Sequence, residues 1–466
     1  MSRHRQTNNL HDCQARQHGA ALIVMLVIMV MGAAATLVGS LSTTAVKNAR
    51  QETTAAALAQ AKEALIAYAV TYGDTHAGQV HGYLPCPDID ASNGEGSSKP
   101  SCGSKDVSSI GRLPWKTLGL STLRDSDGEC LWYAASGTYK NNPKTDLMNW
   151  DASGLFELLD ANGTAVARDV VAVVFAPGPV LGGQNRASGG TAPICGGNYT
   201  ATNYLDSDGT LNNGAVSASA NATTQFRLAA SAQINDRLIY ITRQDLWNAM
   251  LRRNDFMTTL SIMTRKAAEC IADYGRRNSG GAGDKRLPWS GRFWPSATDY
   301  LTDSSYDDGS GLLAGRLPYR VNTSDNNTSN QIDSPYYQLT SNGSNCPSVA
   351  DWPSHYPWWT NWKDHLFYAL ADSFKPSSGS TSCGTCLRVN SSGNYAAIVM
   401  FAGKPLADQT RTTVSDHLDF SNYLEGRNYS NGSNSSGNSD YQSGAETGSF
   451  NDVLYCINPD LSVSSC

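Results

Sequence analysis

No Gly-X-Ser-X-Gly elbow, His-Glu-X-X-His pair or Walker loop occurs in the 466 residues. Those patterns set a nucleophile, a zinc ion or a phosphate cradle on a defined turn, and without them no enzymatic activity is expected. Gly309-Ser310-Gly311 followed by Gly315 falls short of a dinucleotide loop, because no strand leads into it. The histidines after the first apolar run, His76, His81, His355, His365 and His417, are scattered. His365 sits beside Asp364, and a solvated pair at a strand start is the expected reading. Charge is sparse as well: 16% of residues, a net of -6 and a pI near 5.8 leave no basic surface for nucleic acid. Beyond the first 50 residues there is no second long apolar run, so the body is expected to be soluble and outside the cytoplasm.

The chain does have one long uncharged stretch, the 28 residues between His18 and Lys47, entered through Arg16-Gln17-His18-Gly19-Ala20-Ala21-Leu22-Ile23-Val24. Arg3, Arg5 and Arg16 precede it and would stay cytoplasmic. A secretory signal has its small-residue cleavage site after the apolar part, whereas Gly19 lies before it. As a helix, Ala20 to Val46 would span about 40 Å, enough to cross a bilayer. Lys47 to Tyr72 holds no proline or glycine, and Leu58, Ala61, Leu65, Ala69 and Tyr72 form one apolar stripe. A single helix of roughly 50 residues is expected, apolar first and amphipathic after.

This layout over residues 16 to 72 resembles the N-terminal helix of type IV prepilins and type II secretion pseudopilins. The resemblance implies cleavage after Gly19 by a prepilin peptidase and a new, usually methylated, amino terminus at Ala20. It implies an inner-membrane single-pass protein with a periplasmic body, which then joins other pilins or pseudopilins through its helix. Most pilins carry a glutamate at the fifth mature position, where this chain has Val24. A carboxylate in lipid is costly unless paired, so its loss fits a subunit with none above it, at the tip or in priming assembly. Two rival expectations are a tip adhesin for glycan or host surface and an anchored periplasmic protein outside any fibre.

The remainder reads as two copies. Leu84-Pro85-Cys86 corresponds to Leu287-Pro288-Trp289, and Gly111-Arg112-Leu113-Pro114-Trp115 to Gly315-Arg316-Leu317-Pro318-Tyr319. Leu131-Trp132-Tyr133-Ala134 pairs with Leu366-Phe367-Tyr368-Ala369, Gln184-Asn185-Arg186 with Gln409-Thr410-Arg411, and Asn235-Asp236 with Asn451-Asp452. Each copy opens with a helix and continues into short strands, among them the apolar runs Val170 to Phe175 and Ala396 to Phe401. The expected class is α+β, a pilin-like helix followed by two tandem helix-plus-antiparallel-sheet domains. The expected divisions are a leader 1–19, the helix 20–72, a first copy 73–242 and a second 243–466, with Arg243 to Arg265 as one joining helix. The Ser/Asn/Gly-rich stretches 198–224, 322–344 and 426–449 are expected as surface loops.

Of eleven cysteines, Cys13 lies in the leader, and the ten that remain favour disulfides in an oxidising compartment. Cys86 with Cys102 and Cys383 with Cys386 are candidate bridges, and Cys270 on a helix is expected to be simply buried. Cys456 with Cys466 resembles the disulfide-closed C-terminal loop of many pilins. Acidic loops hold Asp88 and Asp90, Asp125 and Asp127, and Asp303, Asp307 and Asp308. Calcium takes six to eight oxygens, and the resemblance to calcium-binding pseudopilins makes these candidate ligands, although Asp and Gly also serve as ordinary turn formers. Trp352, Tyr356, Trp358, Trp359 and Trp362 cluster in eleven residues. They suit a stacking surface for sugars or an interface, or a cap on the second copy's core.

Overall fold

The computed structural model describes residues 17–466 apart from 191, 229–232, 278–284, 293–298, 310, 323–335, 339–345, 347, 377–381 and 433–438. For most of 17–43, and for 322 and 336–338, it describes the backbone only. The fold is mixed α+β with several largely antiparallel sheets.

Helix α1 (Gln17–Thr75) runs 59 residues without a break. Its stripe Leu58, Ala61, Leu65, Ala69 and Tyr72 is buried, as the spacing requires. The stripe lies over a six-stranded sheet formed by β1 (Ser109–Arg112), β2 (Trp132–Ala135), β3 (Phe156–Leu159), β4 (Ala165–Ala176), β5 (Thr224–Arg227) and β6 (Arg237–Thr242). Strand β4 is central, pairing with β2, β3 and β6. Its apolar run is buried on both faces. Ala172 and Val174 belong to the core under α1, while Val173 and Phe175 meet Trp132, Tyr204 and Phe226 on the other side. Residues 198–224, expected as a surface loop, tuck Ala201, Tyr204 and Leu205 against that second face.

The joining segment is two helices, where one was expected. α2 (Arg243–Leu251) starts with a capping box between Thr242 and Asp245 and stops near Arg252. α3 (Phe256–Arg277) follows. Between them Arg253 reaches Val70 O, Asp74 and Asp255, pinning the corner to the end of α1. A second sheet then forms, with β7 (Ala314–Arg316), after which β8 (Arg320–Asn322) and β9 (Tyr336–Gln338) make a separate hairpin. α4 (Trp352–Trp362) leads to β10 (Leu366–Leu370). β11 (Leu387–Val389) and β12 (Ser392–Tyr395) precede β13 (Ala397–Phe401). The short helices α5 (Val414–His417) and α6 (Gly426–Gly432) precede β14 (Asp440–Tyr441), β15 (Val453–Ile457) and β16 (Val463–Ser465). The second sheet is ordered β16-β15-β13-β10-β7 and packs under α3.

The landmark pairs occupy matching positions in the two sheets. Gly111 opposes Tyr133 and Gly315 opposes Tyr368, while Tyr133 opposes Val174 and Tyr368 opposes Val399. The Tyr133 and Tyr368 hydroxyls donate to Pro85 O and Pro288 O, each at 3.2 Å. In the first half Tyr204 lies between Arg112 and Arg186, and in the second Tyr423 lies between Arg316 and Arg411.

All ten cysteines after Cys13 are bonded. Cys86–Cys102, Cys383–Cys386 and Cys456–Cys466 join as the sequence suggested, along with Cys130–Cys195 and Cys270–Cys346. Cys270 is thus buried and also cross-linked, which its helix position alone did not reveal.

Candidate functional site at the junction of the halves

Gly19 and Ala20 fall in the backbone of α1, and their side chains lie outside the described residues, as do most of those in the span Ala20 to Val46. Among the described residues no helix is long and apolar enough to cross a membrane. Further along the same helix, Met25, Leu26, Met29, Val30 and Met31 are 57–69% exposed.

The acidic loops are held apart in separate roles. Asp90 caps a short turn and pairs with Lys99 at 2.6 Å, which holds its carboxyl down to about 2. Asp88 is buried and accepts from Gly96 N at 2.7 Å, and burial pushes it up to about 6. Asp125 closes its own turn by accepting from Asp127 N and Glu129 N, and it also accepts from Gly178 N. Asp127 faces Arg50 at 3.9 Å. Asp303 pairs with Lys363 at 2.6 Å, and Asp307 takes both ends of Arg320. The backbone of Asp308 bridges to Gly291 and Arg320. Most of these oxygens face cations or backbone amides, while Asp88 Oδ1 is buried without a hydrogen-bond partner.

The aromatic segment is α4, and it packs inward. Trp352, Trp359 and Trp362 are buried, with Tyr356 and Trp358 half-buried. Trp362 meets Trp150 at 4.5 Å and Trp247 at 6.0 Å, and Trp358 meets His81 at 5.6 Å. Asn361 Oδ1 accepts from Met148 N and its carbonyl accepts from Asn149 Nδ2. The segment therefore joins the two halves, and its buried rings present no open stacking face.

At that junction lies a polar cluster the sequence did not announce. Asp364 and His365 are fully buried, in contrast to the solvated pair expected, and both face Asp151 of the first half. His365 Nδ1 is 2.9 Å from Asp364 Oδ1, and His365 Nε2 is 3.0 Å from Asp151 Oδ2. Trp150 Nε1 donates to the same Nε2 at 2.8 Å, and Asn149 Nδ2 donates to Asp364 Oδ1 at 3.1 Å. Burial opposes charge on the ring, but Asp364 and Asp151 outweigh it and raise the His365 pKa. Burial likewise opposes charge on Asp364, yet His365, His417 and Arg316 hold it down to about 2. Arg411 Nη1 stands 3.6 Å from Asp151 Oδ2. Protein-family models, curated proteins and solved structures were all compared with the chain. None matches it.

Asp151, Asp364 and His365 are the acidic and histidine side chains that come close enough to share an ion among the described residues. Only Asp364-His365 is visible in the sequence as a pair, because Asp151 comes from a segment more than two hundred residues earlier.

Proposed function

We propose that this chain is a large minor pilin or pseudopilin, with two tandem pilin-like copies carried outside the membrane by α1. The observation that carries the reading is the division of labour along that one helix. Its second half is locked into the first sheet by the stripe from Leu58 to Tyr72, while the residues around Met25 to Met31 leave large apolar side chains uncovered. An exposed apolar surface of this kind requires lipid or other helices, and a pilin helix meets lipid before assembly and its neighbours afterwards. The matching registers of the two sheets support the tandem copies. Val24 in place of the usual glutamate supports a tip or priming position.

In this reading Gly19 is what the prepilin peptidase recognises. The variant Gly19→Val is expected to lose more than nine-tenths of its processing, on the order of tenfold in rate or more. Immunoblots of sheared fibre and membrane fractions would check this. The unprocessed variant should remain in the membrane, and equal recovery of wild type and variant from fibres would contradict the proposal.

A further inference from the structure

The junction between the halves contains a cavity of about 310 Å³. Asp106, Asp146, Asp151 and Asp364 line it, together with Arg411 and His417 and the uncharged polar side chains of Thr138 and Asn149. Buried carboxylate oxygens ordinarily find donors. Here several have none: Oδ1 of Asp106, Oδ1 of Asp151 and Oδ2 of Asp364 are shut off from solvent without a hydrogen-bond partner. Asp364 is fully buried and Asp151 only 7% exposed.

The nearby positive groups do not supply the missing bonds. Arg411 gives its protons to Gly403 O, Asn422 O and Gln409 Oε1, and it approaches Asp151 Oδ2 no closer than 3.6 Å. Arg316 gives its own to Asp364 O and His417 O, which are backbone carbonyls. Both nitrogens of His365 are already engaged, Nδ1 by Asp364 Oδ1 and Nε2 by Asp151 Oδ2 and Trp150 Nε1, which leaves Asp151 Oδ1 and Asp364 Oδ2 open. Asp146 pairs with Lys105 at the rim. What remains open is oxygen, supplied by residues from both halves and facing a space with room for water.

We propose that this cavity is a site for a hard divalent cation, with Asp151 and Asp364 as direct ligands. Hard cations take oxygen donors, and calcium and magnesium both retain waters where protein ligands are few. The ion would join Asp151 of the first half to Asp364 of the second, tying the halves together next to the Trp150–Trp362 contact. It is a different place from the acidic loops that hold Asp88, Asp125 and Asp303.

The test uses the full chain in detergent, stripped with EDTA and dialysed. CaCl2, MgCl2 and MnCl2 are each titrated by calorimetry, and thermal melts are recorded alongside. The expected result is one saturable ion per chain and a melting point that rises with the ion. In Asp151→Asn, affinity should fall roughly tenfold or more. Circular dichroism of the variant without ion should match the wild type. Should Asp364→Asn fail to fold, Asp151→Asn alone carries the comparison. An absence of saturable binding by any of the three ions would overturn the proposal, as would binding that Asp151→Asn leaves unchanged. Neither result would touch the pilin reading, which rests on α1.

Discussion

Replacing Trp362 by alanine is expected to destabilise the folded chain by about 3–5 kcal/mol, the range for emptying a buried tryptophan site. The ring is buried and touches residues from both halves: Trp150 and Trp247 from the first side of the junction, Phe256 from α3, and His365 and Phe401 from the second sheet. These neighbours are held by α2, α3 and the second sheet, so the space cannot close without shifting those elements, and the cavity would persist. The indole Nε1 has no hydrogen-bond partner. Trp362→Phe therefore keeps most of the packing and removes an unsatisfied donor, and it should cost only about 1–1.5 kcal/mol. Urea melts of the full chain read both. A loss under about 1 kcal/mol for the alanine variant would mean that α4 is not the seam between the halves.

The second large effect is a dependence of stability on pH, built from a carboxyl pair that recurs in each half. In the first, Asp206 Oδ2 accepts from Asn235 N and Asp236 N, Asp236 Oδ2 accepts from Asp206 N and Asn213 Nδ2, and Gln184 holds Asp206 Oδ1. In the second, Asp452 Oδ2 accepts from Glu425 N and Asn428 Nδ2, and Gln409 holds Glu425 Oε1. Asp236 Oδ1 and Asp452 Oδ1 lack a donor that would stabilise a charge there. Burial, then the charge on Asp206, pushes Asp236 up to about 8. Burial and Glu425 likewise raise Asp452.

The folded state thus keeps protons that an unfolded carboxyl releases near pH 4. A raised carboxyl stabilises fully below that unfolded value, and the contribution is lost as pH rises toward about 8. Going from pH 5 to pH 9 is expected to cost about 2 kcal/mol or more, roughly 2 °C or more in Tm for a chain of this length. Asp236→Asn, which holds a neutral group at that position, should reduce the slope, and adding Asp452→Asn should remove most of what remains. Thermal melts across that range decide it. A Tm that is flat or rising with pH in the wild type would show that these pairs do not hold their protons.

Much of the fold was legible because local pattern and long-range pairing agree. The apolar runs 170–175 and 396–401 carry enough β-branched residues to be central strands, and the Gly-Arg-Leu-Pro segments fall in the same register against the aromatic strands in both sheets. The stripe on α1 follows directly from 3.6-residue periodicity. The corner at Arg252–Asp255 was missed although Asn254 and Asp255 are favoured at helix starts, and Arg253 reaching Val70 and Asp74 on α1 fixes its place.

The junction site was missed for a related reason. Asp364-His365 looks the same in sequence whether solvated or buried, and Asp151, Arg411 and Trp150 reach it only through tertiary packing. One available signal was the spacing of Trp352, Trp359 and Trp362, which lies on a single helical face and is the mark of a buried stripe. Another was the arginine repeated in both copies, Arg112 and Arg316. These side chains are buried against aromatic rings and hold the carbonyls of loops that close over each sheet.

The most direct test of the central claim is the N-terminal mass of the protein from cells with and without prepilin peptidase. The account predicts a chain that begins at Ala20, with an added methyl group, and reverts to the unprocessed form when the peptidase is absent. A chain that keeps the residues before Ala20 in both strains would contradict it, and would leave a membrane-anchored protein that enters no fibre.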